Sequence, residues 1–153
     1  MGIIRCLIFL MVLADLYVPV VKYDPARNAA QDIKAAVAEA QRTGKRVLLE
    51  VGGDWCKWCH IMDRYFDDHP KLVELRDRNF ITVKINWSPE NENKAVLSTD
   101  PQISGYPHIF VVDTDGKLLH SQNTGDLESG ESYNLDTFTA FLNKWLPPSV
   151  KKQ

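Results

Sequence analysis

The apolar run Arg46-Val47-Leu48-Leu49-Glu50-Val51 passes through Gly52-Gly53-Asp54 directly into Trp55-Cys56-Lys57-Trp58-Cys59. The run is short and aliphatic with one acid inside it, which predicts a buried strand. From Cys56 the pattern turns helical through Phe66, with Ile61, Met62, Tyr65 and Phe66 on one apolar face. The two cysteines therefore sit at the mouth of a helix that follows a strand. Being three positions apart, they share a face of that helix. At a helix N-terminus the unpaired N–H groups and the dipole favour a thiolate, here on Cys56. A thiolate is the attacking species in disulfide exchange, and a second sulfur nearby can displace the first from a mixed disulfide. The spacing predicts a reversible dithiol/disulfide pair.

Periodicity around this unit predicts the remaining elements. Residues 15–24 form an extension, with a short strand expected at Tyr17–Val21. Asp24-Pro25 predicts a helix start, an N-cap acid followed by proline. Ala29, Ile33, Ala36, Val37 and Ala40 recur at helical spacing, and Gly44 closes the helix. Asp68-His69-Pro70 breaks the cysteine helix and starts another, with Leu72, Val73 and Leu75 facing a core. Phe80–Ile85 alternates and is rich in β-branched residues, as a strand should be. Residues 88–100 read as a polar, partly helical connection. Ile109–Val112 and Lys117–His120 form a hairpin about Asp115-Gly116. Residues 123–134 read as a loop, and Leu135–Leu146 as a closing helix stopped by Pro147-Pro148. This order predicts an α/β fold with a mixed central β-sheet flanked by helices on both faces.

Composition narrows the function. A chain of 153 residues, 44% hydrophobic and 25% charged, can bury a core as one domain without disulfide staples. Its net charge of -2 gives no electrostatic case for nucleic acid or an anionic membrane surface. Met1–Arg5 is a positively charged start, followed by the apolar run Cys6–Ala14. That run is too short for the roughly 20 residues of a membrane-spanning helix. It predicts a signal peptide and short extension over residues 1–20, with cleavage after Ala14 one option, and a domain over 21–153. The alternative is an N-terminal strand or core helix of a cytosolic protein. Cleavage gives a periplasmic or otherwise secreted protein with no stable membrane insertion. It also leaves Cys56 and Cys59 as the only thiols, so none is spare to mispair in an oxidising compartment.

Three separated features give the chain a resemblance to the thioredoxin superfamily over roughly residues 24–146. Trp55-Cys56-x-x-Cys59 has tryptophan directly before the first cysteine, as in thioredoxin. Glu50 lies six residues earlier on the preceding strand, where thioredoxin has a buried aspartate and protein disulfide isomerase a glutamate. Ser104-Gly105-Tyr106-Pro107, just before a strand, looks like the family's cis-proline loop. The pair Lys57-Trp58 departs from the Gly-Pro, Gly-His and Pro-His of the best-known members. Together with the long segments around residues 85–101 and 125–133, it is more similar to secreted bacterial thioredoxin-like proteins and periplasmic reductase domains.

The resemblance implies a thioredoxin fold and a thiol–disulfide oxidoreductase, reductase- or isomerase-like rather than a strong oxidase. Cys56 would be the nucleophile and Cys59 the resolving thiol. Glu50, as a buried acid, would exchange the resolving proton. Tyr106 and Pro107 would hold an extended substrate by strand addition. Trp55 and Trp58 would bind substrate, with Trp58 exposed as an apolar landing surface. Lys57 and His60 would tune the local potential, the Lys57 cation favouring the Cys56 thiolate. The expected partners are protein thiols and disulfides plus a redox partner that recycles the pair, with the chain a monomer needing no cofactor or metal.

Two other chemistries use the same cysteines. A structural zinc site needs a second ligand pair, and His60, His69, His108 and His120 form none by spacing. Cys56-Lys57-Trp58-Cys59-His60 also matches the attachment signature of c-type haem, so a haem or metal carrier is the alternative function.

Overall fold

Strand β1 (Arg46–Gly52) runs through the middle of the molecule, and its side chains alternate between two cores. The computed structural model describes residues 16–99 and 101–148. Val47, Leu49 and Val51 enter one core and Leu48 the other. A strand covered on both faces reads as a continuous apolar run, which is why β1 stands out in the sequence.

The sheet has the order β2-β1-β3-β4. Strand β2 (Phe80–Asn86) pairs parallel to β1, setting Glu50 opposite Lys84. Parallel neighbours need a crossover, and it is made by helices α2 (Lys57–Asp68) and α3 (Pro70–Asn79). Strands β3 (His108–Val112) and β4 (Leu118–Asn123) continue the sheet antiparallel. Their turn uses Gly116 at φ 85°, a conformation glycine adopts without a Cβ clash.

Helix α1 (Ala29–Thr43) covers one face, packing Ala36 and Ala40 with Val47, Leu49, Val83 and Phe110. Helices α2, α3 and α5 (Leu135–Lys144) cover the other with Met62, Phe66, Leu72, Phe138 and Leu142. This is the mixed sheet with helices on both faces that the element order predicts. Helix α4 (Lys94–Leu97) is a single turn in the connection from β2 to β3.

Four local expectations change. Helix α1 starts at Ala29, because Asn28 caps it by accepting the Gln31 N–H, while Asp24 accepts the Ala26 N–H in a separate turn. Residues 17–21 form no strand. One bond, from Lys84 N–H to the Val20 carbonyl at 3.0 Å, ties this segment to β2, and one bond makes no ladder. The loop over 123–134 contains a 3₁₀ turn (Thr124–Leu127) and a small hairpin of β5 (Glu128–Ser129) and β6 (Ser132–Tyr133). Two-residue strands carry no readable period. Helix α5 ends at Lys144, where Arg46 Nη1 donates to the Trp145 and Leu146 carbonyls left open by the helix end. Among the described residues, no helix is long and apolar enough to cross a membrane. The expected signal peptide through Ala14 lies outside them.

His108, at the start of β3, is buried, with Nε2 paired to Ser121 Oγ at 2.8 Å. Burial, then the nearby His120, lowers its pKa below 6.5. The unfolded chain therefore takes up this proton first, so the stabilisation is complete above 6.5 and is lost as pH falls through the lower folded value. Urea midpoints of the protein should decline over that window, and those of His108→Gln should decline less. Parallel pH profiles would remove His108 from the acid response.

Candidate active site

Cys56 ends the Gly52–Trp55 turn in an extended conformation, φ -86° and ψ 107°, and serves as the N-cap of α2. Its sulfur accepts the Cys59 N–H at 3.1 Å, the capping bond that a serine or aspartate oxygen makes elsewhere. No acid lies in the first turn to offset the helix dipole, and Lys57, exposed, opens that turn. Any negative charge on Cys56 thus meets N–H groups and a dipole of favourable sign. The two sulfurs form a disulfide, with the Cα atoms 5.3 Å apart.

The pair is enclosed by its neighbours. Cys59 is fully buried and Cys56 only 3% exposed, because Tyr23 joins both in one apolar cluster and Trp58 and Tyr106 pack over it. The tryptophans also divide differently from expectation. Trp58 is half-buried, edge-on to Tyr133 at 5.5 Å. Trp55 is the exposed one, at 53%. The side chain between the cysteines points into the α2–β6 contact, a choice made by the packing of Tyr133.

Glu50 lies on the α2 face of β1 and is 4% exposed. The Tyr23 hydroxyl donates to Glu50 Oε1 at 2.6 Å. Lys84 Nζ stands 3.7 Å from the same oxygen, held closer to Asp63 Oδ1 and Oδ2 at 2.5 and 2.7 Å. A buried carboxylate is costly without such partners. Tyr23 is itself held far above the usual tyrosine range, first by burial and then by the Glu50 charge.

The Tyr106–Pro107 peptide is cis. Pro107 is buried, and Thr124 Oγ1 donates to its carbonyl at 2.5 Å. The Tyr106 N–H and C=O make no hydrogen bond among the described residues. Its ring stacks on Trp87 at 5.2 Å and meets Trp55 edge-on at 5.4 Å. Trp87 is fixed in turn: its N–H donates to the Gly52 carbonyl at 2.7 Å, and its own carbonyl accepts the Trp55 indole N–H at 2.8 Å. Beside this triad opens a surface cleft of about 480 Å³ lined by Asp54, Trp55, Trp87, Pro89 and Glu90. The His60 ring donates from Nε2 to the Asp54 carbonyl at 2.7 Å, bracing the turn before the cysteines.

The structure therefore gathers Glu50, Trp55, Cys56, Trp58, Cys59, Tyr106 and Pro107 in one place. Lys57 and His60 sit at its rim. Tyr23, Lys84, Trp87 and Thr124 join them without any motif to announce them. Tyr23 precedes the first helix and Trp87 directly follows a strand, positions where no spacing rule applies.

A family model described as thioredoxin-like matches residues 28–114, more than half of the chain. The chain belongs to the thioredoxin-like family. It is similar to the disulphide isomerase of Xylella fastidiosa Temecula1, at 28% identity and a TM-score of 0.68 over 80% of this chain and 94% of that one. The DsbD C-terminal domain of Neisseria meningitidis in its oxidised form shares the fold, at 24% identity and a TM-score of 0.56 over 81% and 97%. The thiol:disulfide interchange protein DsbD of Pseudomonas fluorescens is 26% identical over 116 residues, 74% of this chain and 18% of that protein. The chain thus spans less than a fifth of that relative's length. Family membership and the bonded cysteine pair make this a thioredoxin-like thiol–disulfide oxidoreductase domain.

Gly52 is a tight point in this thioredoxin-like site. A Cβ there would collide with Cys59 Sγ and reach the Tyr23 ring and hydroxyl at 3.0 Å. Gly52→Ala should cost about 1–3 kcal/mol by overpacking, measured by urea unfolding of the oxidised protein. A variant as stable as the parent would mean that Tyr23 yields freely.

Proposed function

We propose that the chain exchanges disulfides with protein substrates as a reductase- or isomerase-like enzyme in the periplasm or another secreted location. The acting unit is the domain over residues 21–153. The observation that carries the proposal is the Cys56–Cys59 bond at the N-terminus of α2, with Tyr106 packed against the cysteine cluster. The Xylella disulphide isomerase, similar in sequence and fold, supports the reductase/isomerase direction. The N-terminal charge and apolar run support the location.

In the reducing direction, the Cys56 thiolate attacks one sulfur of a substrate disulfide. A Cys56–substrate disulfide forms and the other substrate sulfur leaves as a thiolate. Cys59 then gives its proton toward Glu50, and its thiolate attacks Cys56 Sγ. The Cys56–Cys59 bond forms as the substrate sulfur leaves. Two electrons pass from the enzyme to the substrate, and a partner dithiol restores the pair. The open N–H and C=O of Tyr106 accept an extended substrate segment as an added strand, which selects shape over sequence. Exposed Trp55 supplies the apolar contact beside it. Nothing in the geometry favours the haem or metal carrier: the sulfurs are bonded to each other and His60 is turned to the Asp54 carbonyl.

The cysteines should not be interchangeable. Mixed with insulin and run on non-reducing gels, Cys59→Ser should accumulate a covalent adduct and Cys56→Ser none. Equal trapping by both, or by neither, would overturn the roles. A Soret band or dialysis-resistant metal in the purified protein would restore the carrier.

Glu50→Gln should leave the first attack unchanged and slow release of the mixed disulfide about 100-fold, the usual scale of general-base catalysis. Stopped-flow traces with an unchanged release step would take Glu50 out of the mechanism.

A further inference from the structure

One residue that sequence reasoning passes over lies against both the cysteine pair and Glu50. Tyr23 precedes α1, in the segment tied to β2 by the Lys84–Val20 backbone bond. Its ring is buried in one cluster with Cys56 and Cys59, and its hydroxyl lies 2.6 Å from Glu50 Oε1. That hydroxyl and Cys59 Sγ also crowd the same point, the place a side chain on Gly52 would fill: a Cβ there would collide with the sulfur and lie 3.0 Å from the hydroxyl. A phenol that donates its single proton to a carboxylate keeps lone pairs for a second donor. The resolving cysteine shares that cluster and lies with the hydroxyl around the side-chain position of Gly52.

We infer that Tyr23 relays the Cys59 proton to Glu50. This rests on the proposal that Glu50 is the base for Cys59. As Cys59 attacks, its S–H proton passes to Tyr23 Oη while the phenolic proton passes to Glu50 Oε1. The net result is a Cys59 thiolate, a neutral Glu50 and an unchanged phenol; no oxidant or reductant is consumed. Burial and the Glu50 charge hold the phenol far above its usual range, so tyrosinate does not accumulate and both protons move together. Glu50 then discharges into a cleft of about 390 Å³ that it lines with Asp63, Thr82 and Lys84. Lys84 Nζ lies 4.7 Å over the Tyr23 ring, so the phenol is fixed between a cation and the disulfide.

Tyr23→Phe keeps the ring and removes the relay atom. In the full chain, stopped-flow release of a Cys56 mixed disulfide should slow about as much as in Glu50→Gln, roughly 100-fold. The double variant should be no slower than either, since both remove one path. The first attack by Cys56 should keep its rate. With the relay gone, Cys59 loses its proton to solvent, so release should rise steeply with pH in the variant and less so in the parent. The charged and titratable groups around Tyr23 in that comparison are Glu50, Asp63, Lys84 and Tyr133.

A parent-like release rate in Tyr23→Phe with a slow Glu50→Gln overturns the relay and leaves Glu50 as base. Parent-like rates in both overturn both proposals. The intact protein supplies a test that needs no variant. Release rates in mixtures of light and heavy water should curve with deuterium content, because two protons move together. A straight line, one proton in flight, overturns the relay.

Discussion

A carboxylate sits in the central strand of this sheet, and much of the structure around the cysteines answers to it. Glu50 faces α2 from the middle of β1 and is only 4% exposed. Removing a carboxylate from water without partners costs several kcal/mol. The fold meets that cost with a tyrosine from the N-terminal segment and a lysine from the neighbouring strand. Lys84 is placed by register, as the parallel partner of Glu50. Asp63 of α2 then takes the closer hold on the lysine, so the cation is shared between the strand and the helix that carries the cysteines. The charge network thus ties the site to both sides of the β1–α2 turn.

The second organising feature is the aromatic wall of Trp55, Trp87 and Tyr106. Aromatic pairs in edge-on and stacked contact add to simple burial, and here the rings are also fixed by backbone bonds to Gly52 and Trp87. Each ring comes from a different segment: the cysteine turn, the end of β2 and the residue before Pro107. Their convergence puts a rigid apolar surface beside the free backbone of Tyr106. In the proposed function this surface would contact an exposed, extended stretch of polypeptide with little regard for its sequence.

Much of the architecture was legible because its causes are local. The run Val47–Val51 is continuous because both faces of β1 are covered. Gly44 and Gly116 sit where the backbone takes positive φ, and Pro70 sits where α3 begins. The cysteines could be placed at a helix N-terminus because a strand, a glycine turn and a helical period follow one another in the chain. Local rules also misled. Asp24-Pro25 looks like a helix start, yet Asn28 makes the capping bond. Trp58, between the cysteines, looks exposed, yet Tyr133 from the β5–β6 hairpin turns it inward.

The sequence by itself determined the element order, the two-sided sheet and the cysteine pair at its helix. Helix periods, strand alternation and turn residues act over a few positions, so they leave their mark in the chain. Only the tertiary structure decided that Tyr23 would bond to Glu50 across 27 residues, that Lys84 would stand between two carboxylates, and that Trp55 would face solvent. These contacts depend on which strands are neighbours and in what register. That order is settled by burying both faces of the sheet at once, a condition on the whole chain that no short stretch of it records.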